Sequence, residues 1–396
     1  MHILFISSRF PYPALKGDQV ILYHRLKYLS KKHDITLLTF YQNERELNHL
    51  ERIDRYCKKV EAVKISKIES LCNVLHLGAF STRPLQTIYF RSKKFEQKLR
   101  AILNSTEFDI VHTYMLRMAE YTRHIHQPKV LDLIDCMQLN LDKRIAFMKH
   151  PQKILYDEEF RRIKRYEKEI LNEFDASIVV SDVDRIYLDS GSVTTIPLGI
   201  DTERFRRKSS LPDNRTIIFS GNMAYYPNES AILWFINNCF EQIKRRVPGV
   251  QLKIVGINPG KNVKKFHDGQ TIIVTGFVDS VIDEMETSQI AIAPMQSGYG
   301  MHIKILEAMS CGLPVVTTSA GQGTIAAAHR VHLVAGNDSR SFAEACIGLL
   351  NDRRTAESIG QNARDLIVRE YSWATSVAKL EHTYEAIIRK SKEKEG

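Results

Sequence analysis

At 396 residues, 43% of them hydrophobic and 26% charged, the chain is too long for one ordinary core and too apolar for a disordered segment, so two domains of about 200 residues are expected. No run reaches the ~18 consecutive apolar residues of a membrane span, and MHILFISSRF lacks the basic flank and cleavage site of a signal peptide, so a cytoplasmic protein is expected. The six cysteines are scattered, with no CxxC pair and no Cys/His cluster at zinc spacing; free buried thiols in a reducing compartment are the expectation.

The first apolar run, His2–Ser7, predicts a strand, and Val20–Lys32 carries apolar residues at helical spacing. Further strands are predicted at Ile35–Phe40, Val60–Ile65, Ile110–His112, Val130–Leu133, Ala176–Val180 and Val193–Ile196, with a long charged helix over Pro151–Asn172. The net charge of +10 is concentrated between Arg52 and Arg100, where 12 Lys/Arg face 4 Asp/Glu. That excess suits nucleic acid, an anionic membrane or a phosphorylated substrate as well as a plain solvated face. Nucleic acid is disfavoured, because no recognition motif or interleaved aromatic stacking pattern accompanies the charge.

A polar stretch, Thr202–Asn214, reads as a linker, after which the rhythm restarts. Strands are predicted at Thr216–Ser220, Leu252–Val255, Thr271–Val274, Ile290–Ala293 and Pro314–Thr317. Helices are predicted at Ser230–Arg246, His302–Ser310, Ser341–Leu350, Thr355–Glu370 and Trp373–Arg389. Strands alternating with helices predict parallel, doubly wound sheets. The expected division is an N-terminal domain over 1–200, a linker over 201–214, a C-terminal domain over 215–372 and a final helix over 373–396 returning to the first domain. Ligands of such sheets bind at the carboxyl ends of the strands.

The most informative segment is Pro294–Val316, PMQSGYGMHIKILEAMSCGLPVV. Gly298 and Gly300 would let backbone approach a ligand. Met301, His302 and Lys304 are predicted in the first turn of the following helix, where free N–H groups and positive partial charge favour an anion such as a diphosphate. Glu307, one turn further on, is placed to accept hydrogen bonds from the two hydroxyls of a ribose. An exposed helix charge is the plain alternative for Glu307, and a solvated side chain for Lys304 and His302.

LEAMSCGLPVV resembles the signature of glycosyltransferase family 4, retaining enzymes of the GT-B fold. FDASIVVS (Phe174–Ser181) and IPLGIDTERF (Ile196–Phe205) are similar to two more of its segments, and the resemblance runs over the whole chain. It implies an α/β fold of two Rossmann-like domains facing across a cleft, the first binding the acceptor and the second a nucleotide-diphosphate sugar. It implies transfer of a hexosyl group to an acceptor hydroxyl with retained configuration, no metal and no cofactor beyond the donor. By position it places Gly17 and Gly221 against the donor and His112 facing the transferred sugar. Two departures stand out. SGYG replaces the family's EGFG loop, so only the second glutamate of its E-x7-E motif, Glu307, is kept. SGNMAYYPNES lacks the clamping arginine and lysine, with Asn222 and Met223 near the first position and Asn228 near the second. His302 and Lys304 are expected to supply the missing charge, with Asn222 at the donor.

Asp132 and Asp135 flank another predicted strand end. Asp135 is a candidate to orient or deprotonate the acceptor hydroxyl, with a turn or cap as the alternative. Asp182 and Asp184 form a DxD, but after VVS they read as charge at a helix N-terminus rather than metal ligands. Ser70–Phe80 is apolar among Lys58, Lys59, Lys64, Lys67 and Arg83, which suits peripheral contact with an anionic membrane or, equally plainly, a buried helix. A carbohydrate or lipid-linked sugar acceptor in bacterial surface polysaccharide synthesis is expected. Two rivals remain: a sugar-nucleotide 2-epimerase of the same fold and a non-catalytic sugar-nucleotide-binding partner. A nicotinamide dehydrogenase is excluded by the absence of GxGxxG after the first strand.

Overall fold

The structure, a computed structural model, describes residues 1–14, 16–78, 81–145, 152–296 and 301–395. It divides into two compact units, Met1–Pro197 with Ser376–Gly396, and Leu198–Thr375. The stretch read as a linker is held by the second unit. Arg207 donates to the carbonyls of Met285 and Ser288 at 3.0 and 3.2 Å, the Lys208 amide donates to the Glu286 carboxylate, and Leu211 is buried in that unit's core.

The first unit is built on seven strands: β1 (His2–Ser7), β2 (Asp34–Tyr41), β3 (Lys59–Lys64), β4 (Ile110–Tyr114), β5 (Lys129–Ile134), β6 (Ala176–Val179) and β7 (Val193–Thr195). Their order is β3-β2-β1-β4-β5-β6-β7, and every neighbouring pair is parallel. Ile3, Leu4, Phe5 and Ile6 have no exposed surface, as expected of a parallel sheet covered on both faces. One apolar layer packs Phe95 and Leu99 against Leu4 and Ile6 of β1 and Leu38 and Phe40 of β2; the other packs Tyr166 and Ile170 of the long helix Gln152–Ile170 against β5.

The second unit has six strands: β8 (Thr216–Ser220), β9 (Gln251–Val255), β10 (Ile272–Gly276), β11 (Ile290–Ala293), β12 (Val315–Thr317) and β13 (Val334–Ala335). The order is β10-β9-β8-β11-β12-β13, again all parallel. β13 has only two residues, too few to leave a pattern in the sequence. The predicted helix Ser230–Arg246 starts a turn earlier, at Tyr226, and contains a π-helical turn over Ile236–Phe240. In each sheet the strand order reverses once, between β1 and β4 and between β8 and β11. Doubly wound sheets take ligands beyond the carboxyl ends of the strands at such reversals.

Local chemistry explains the two strongest sequence segments. The helix Ile303–Ser310 buries Leu306, Ala308 and Met309 and stops at Gly312, whose φ is +66°. The Gly312 amide bonds the Met309 carbonyl and the Leu313 amide bonds the Ala308 carbonyl, the paired pattern of a Schellman cap; Pro314 then prevents continuation. Gly199 of LGID lies where a Cβ would come within 2.3 Å of the Trp373 ring, while the Ile200 amide bonds the Tyr371 carbonyl at 2.7 Å. Any larger residue at 199 would push this segment off the start of the helix Trp373–Glu395.

Candidate functional site

At the strand reversal of the second unit, the carboxyl ends of β8, β9 and β10 run into Gly221, Gly256 and Gly276, with φ of +153°, +143° and +72°. The Gly221 amide bonds the Val255 carbonyl and the Gly256 amide bonds the Gly276 carbonyl. A Cβ on Gly256 would lie 1.8 Å from the Gly221 carbonyl oxygen, so the close approach of β8 and β9 requires glycine there. A Cβ on Gly221 would lie 2.8 Å from the Asn228 amide nitrogen and 3.0 Å from Lys304 Nζ. The floor of this edge is therefore bare backbone, with a lysine directly over it.

Lys304 reaches the edge from the first turn of Ile303–Ser310. The helix starts one residue later than predicted, with His302 as its N-cap residue. Lys304 Nζ donates to Asn228 Oδ1 at 2.7 Å and sits 4.2 Å from the Phe219 ring centroid; a cation over a ring face is favourable. Asn228 is buried, and its amide donates to the Asn222 carbonyl at 2.9 Å. Asn222 is exposed and turns back, its Oδ1 accepting from the Ala224 amide at 3.0 Å. Asn228 thus aims Lys304 without neutralising it, since an amide oxygen carries no full charge.

Burial pushes the Lys304 ammonium down to about 7, with Glu307 partly opposing. Burial raises the Glu307 carboxyl to about 7, against the charges of Arg204 and Lys304. His302 falls to about 4 through burial and then the Lys304 charge, and its Nε2 is buried without a hydrogen-bond partner. Three half-buried ionisable groups thus stand on the N-cap and the first turns of one short helix, each shifted towards its neutral form by partial burial, a setting in which charge responds to a ligand. Arg204 was not singled out in the sequence. Its segment is fixed because Ser310 and Arg364 both donate to the Phe205 carbonyl.

Met301 differs from its expected role, since its side chain packs against the core of the second unit. Gly300, with Ser297, Gly298 and Tyr299, lies outside the described residues. Gly17 belongs to the first unit and opens the helix Gly17–Leu29; a Cβ there would meet nothing within 4 Å, so crowding gives no reason for a glycine.

His112 requires a correction. β4 runs on to Tyr114, so His112 is mid-strand rather than at a strand end. It is fully buried, stacks on Phe5 at 4.3 Å, and lies with Nδ1 2.6 Å from the Tyr384 hydroxyl and Nε2 3.2 Å from Asp132. Burial, and then the Arg25 charge, hold it well below its ordinary pKa, which leaves it neutral. Asp132 is also fully buried and pairs with buried Arg25. This network ties the C-terminal helix to the sheet, and no surface of His112 is open to a sugar.

What the first unit does present at its own reversal is charged. Asp18 takes Arg9 at 2.8 Å and Arg117 at 3.7 Å, and Tyr114 donates to the Asp18 carbonyl at 2.6 Å. Asp135 follows β5 and is exposed, yet the protein mass around it and then the Asp184 charge raise its carboxyl to about 6. Ile134, just before it, holds φ at +68°, a strained value for a β-branched residue. Asp182 and Asp184 fall in the first turn of Asp182–Leu188, behind the N-cap Ser181. Asp184 accepts from the Cys136 amide at 2.9 Å, so it braces the loop that carries Asp135.

Residues 214–352 match the family model described as glycosyl transferases group 1. That match lies within the second unit, which is similar to group 1 glycosyltransferases. Over 393 residues the chain is 26% identical to an uncharacterised 44.6 kDa protein in the cps region of Klebsiella pneumoniae, covering 93% of this chain and 96% of that one. It is also 26% identical to a GDP-mannose-dependent alpha-(1-6)-phosphatidylinositol monomannoside mannosyltransferase of Mycobacterium tuberculosis, over 48% of this chain and about half, 55%, of that one. Among solved structures, Anabaena HepE in complex with UDP superposes with a TM-score of 0.68 at 15% identity, over 98% of this chain and 100% of that one. Sucrose-phosphate synthase of Thermosynechococcus elongatus gives 0.69 at 15%, with the same coverage. The chain therefore has the GT-B fold with two Rossmann-like units, and it is similar to glycosyltransferases of family 4. Among the described residues, no helix is long and apolar enough to cross a membrane.

Proposed function

We propose that the protein transfers a hexosyl group from a nucleoside diphosphate sugar to an acceptor hydroxyl, with the diphosphate seated on Gly221 and the first turn of Ile303–Ser310. The observation that carries this reading is Lys304, a half-buried lysine whose one hydrogen bond among the described residues is to an amide oxygen, set 3.0 Å from the Cβ position of a glycine. Among the described residues no carboxylate pairs directly with that ammonium, and an anion over the bare backbone supplies a counter-charge. Glu307 accepts the ribose hydroxyls, and Arg204 favours its ionised form. The leaving diphosphate is stabilised by a preorganised cation and helix N–H groups, so the chemistry is read as metal-independent. Retention of configuration follows the family 4 resemblance. Asp135, exposed just beyond β5 with its carboxyl raised to about 6, supports the reading of an acidic group that would orient or deprotonate the acceptor hydroxyl.

The relative in a cps region of Klebsiella pneumoniae supports a role in surface polysaccharide synthesis, with a carbohydrate or lipid-linked acceptor. Peripheral attachment to an anionic membrane is supported by the helix Lys67–Leu77, whose Ile68, Leu71 and Leu75 are 75%, 57% and 68% exposed, with Lys67 and His76 beside them. A screen of UDP, GDP and ADP and their sugar conjugates by thermal shift in EDTA tests the donor site. One nucleotide should stabilise the protein, and Lys304→Ala and Glu307→Ala should each remove most of the shift. Equal shifts in wild type and both variants would refute this seat, and no shift from any nucleotide would leave a non-catalytic partner as the better reading.

A further inference from the structure

The loop that carries Asp135 is held from behind by carboxylates of two other elements. The three amides after Asp135 each find one: Cys136 donates to Asp184 Oδ1 at 2.9 Å, Met137 to Glu167 Oε1 at 2.8 Å and Gln138 to Glu167 Oε2 at 3.3 Å. On the other side, the Ile134 amide donates to Asp132 Oδ1 at 3.3 Å, which secures the strained backbone there. Glu167 comes from the helix Gln152–Ile170 and has no exposed surface; Asp184 comes from Asp182–Leu188 and is 7% exposed. Among the described residues, their partners are backbone amides, the Cys136 thiol, 3.9 Å from Glu167 Oε2, and the Ser181 hydroxyl on Asp184, rather than an arginine or a lysine.

Capping alone does not ask for this arrangement. The amides that open the helix Met137–Ile145 could be satisfied by one exposed serine, threonine or aspartate, whereas a carboxylate buried without a cation is costly. Burial raises Glu167 to about 7 in spite of its two amide bonds. What the carboxylates add is a fixed frame. The backbone is pinned at Ile134, Cys136, Met137 and Gln138, and the one exposed side chain between those points is Asp135. We propose that Glu167 and Asp184 are positioning residues for Asp135, presenting its carboxylate to the acceptor hydroxyl at the carboxyl edge of the sheet. The inference rests on the role proposed for Asp135 in the transfer. Asp184 also acts through its charge: the protein mass around Asp135 and then Asp184 raise its carboxyl to about 6, with Lys143 of Met137–Ile145 opposing. Tyr114 of β4 faces Asp135 too, but burial keeps that phenol protonated.

NMR titration of the full chain, isotope-labelled at the aspartate carboxyl carbons, tests the proposal. The Asp135 resonance is identified by its absence in Asp135→Asn, and the label leaves Glu167 silent. In wild type it should titrate with a midpoint of about 6. Asp184→Asn keeps an oxygen for the Cys136 amide but removes the charge, and the midpoint should fall by about half a unit to one unit. Glu167→Ala frees the Met137 and Gln138 amides, and the midpoint should move most of the way to the ordinary ~3.9. Glu167→Gln keeps the shape and one acceptor oxygen, and should stay within about half a unit of wild type. A wild-type midpoint near ~3.9, or one indifferent to Asp184→Asn and Glu167→Ala, would overturn the proposal. A cooperative thermal melt shows which variants are folded; should Glu167→Ala lack one, Asp184→Asn decides alone. Hydrolysis of UDP and GDP sugars by the same samples, with water as the acceptor, separates the clamp from the reading it rests on. The acid limb of kcat should follow the Asp135 midpoint from variant to variant. A fixed limb with a moving midpoint would take Asp135 out of the chemistry, and a fixed midpoint would remove the clamp whatever the limb does.

Discussion

The carboxyl edges of the two sheets reach the same topological position by opposite means. In the second unit, β8, β9 and β10 turn away through glycines at positive φ, which leaves backbone exposed and one lysine above it. In the first unit, the turns after β4 and β5 are made by Met115 and Ile134, at φ of +75° and +68°, and side chains crowd the edge: Arg9, Asp18, Tyr114, Arg117 and Asp135. A backbone floor with a single cation suits a diphosphate of fixed shape. An edge of side chains suits a ligand recognised piece by piece, and it carries strain where residues other than glycine adopt a glycine-like conformation.

The largest effect expected from breaking this contrast is inside the first unit. Asp132→Ala leaves Arg25 buried without its counter-charge and should cost about 3–5 kcal/mol, read as a fall in the denaturant midpoint with unchanged slope. Gly256→Ala comes next: its Cβ meets the Gly221 carbonyl at 1.8 Å at positive φ, and a loss of about 2–4 kcal/mol is expected. Gly17→Ala is its control, with open space around it, and should stay within about 1 kcal/mol of wild type.

Lys304→Met should do two opposite things. It weakens nucleotide diphosphate binding at least about tenfold through loss of a charge-assisted contact, and it stabilises the ligand-free protein by removing a cation held in low dielectric. The sign follows from the lowered pKa. Folding with a depressed lysine carries its full penalty below the folded value of about 7, and the penalty fades as pH rises towards the unfolded value of ~10.4. The gain in melting temperature should therefore be greatest at and below pH 7 and vanish near pH 10.5. The smallest effect is at Ile134→Gly, where relief of strain should add about 1 kcal/mol or less once the added freedom of the unfolded chain is counted.

How much of this was legible depended on whether the information was local. Strand and helix alternation lies in short windows, and β1, β8 and β11 have the predicted bounds. LEAMSCGLPVV was readable because much of it is helix-stop chemistry, with Gly312 at positive φ and Pro314 after it. The aim of Lys304 was not readable, because its partner Asn228 lies 76 positions away and only the fold joins them. His112 was misplaced for the same reason: β4 continues two residues past the predicted end, and the hydroxyl that covers His112 comes from Tyr384, 272 positions on.

The most direct test of the central claim is nucleotide diphosphate affinity between pH 8 and 9.5, measured by calorimetry in EDTA in two buffers of different ionisation enthalpy. Glu307, raised only to about 7, is ionised throughout that window, so Lys304 is the donor-edge group whose proton uptake is being read. The wild type should take up close to one proton per nucleotide and lose up to about tenfold in affinity per pH unit, while Lys304→Met binds weakly without proton uptake. A wild-type affinity that does not change with pH, or an identical fall in Lys304→Met, would contradict the assignment of Lys304 as the cation beneath the diphosphate.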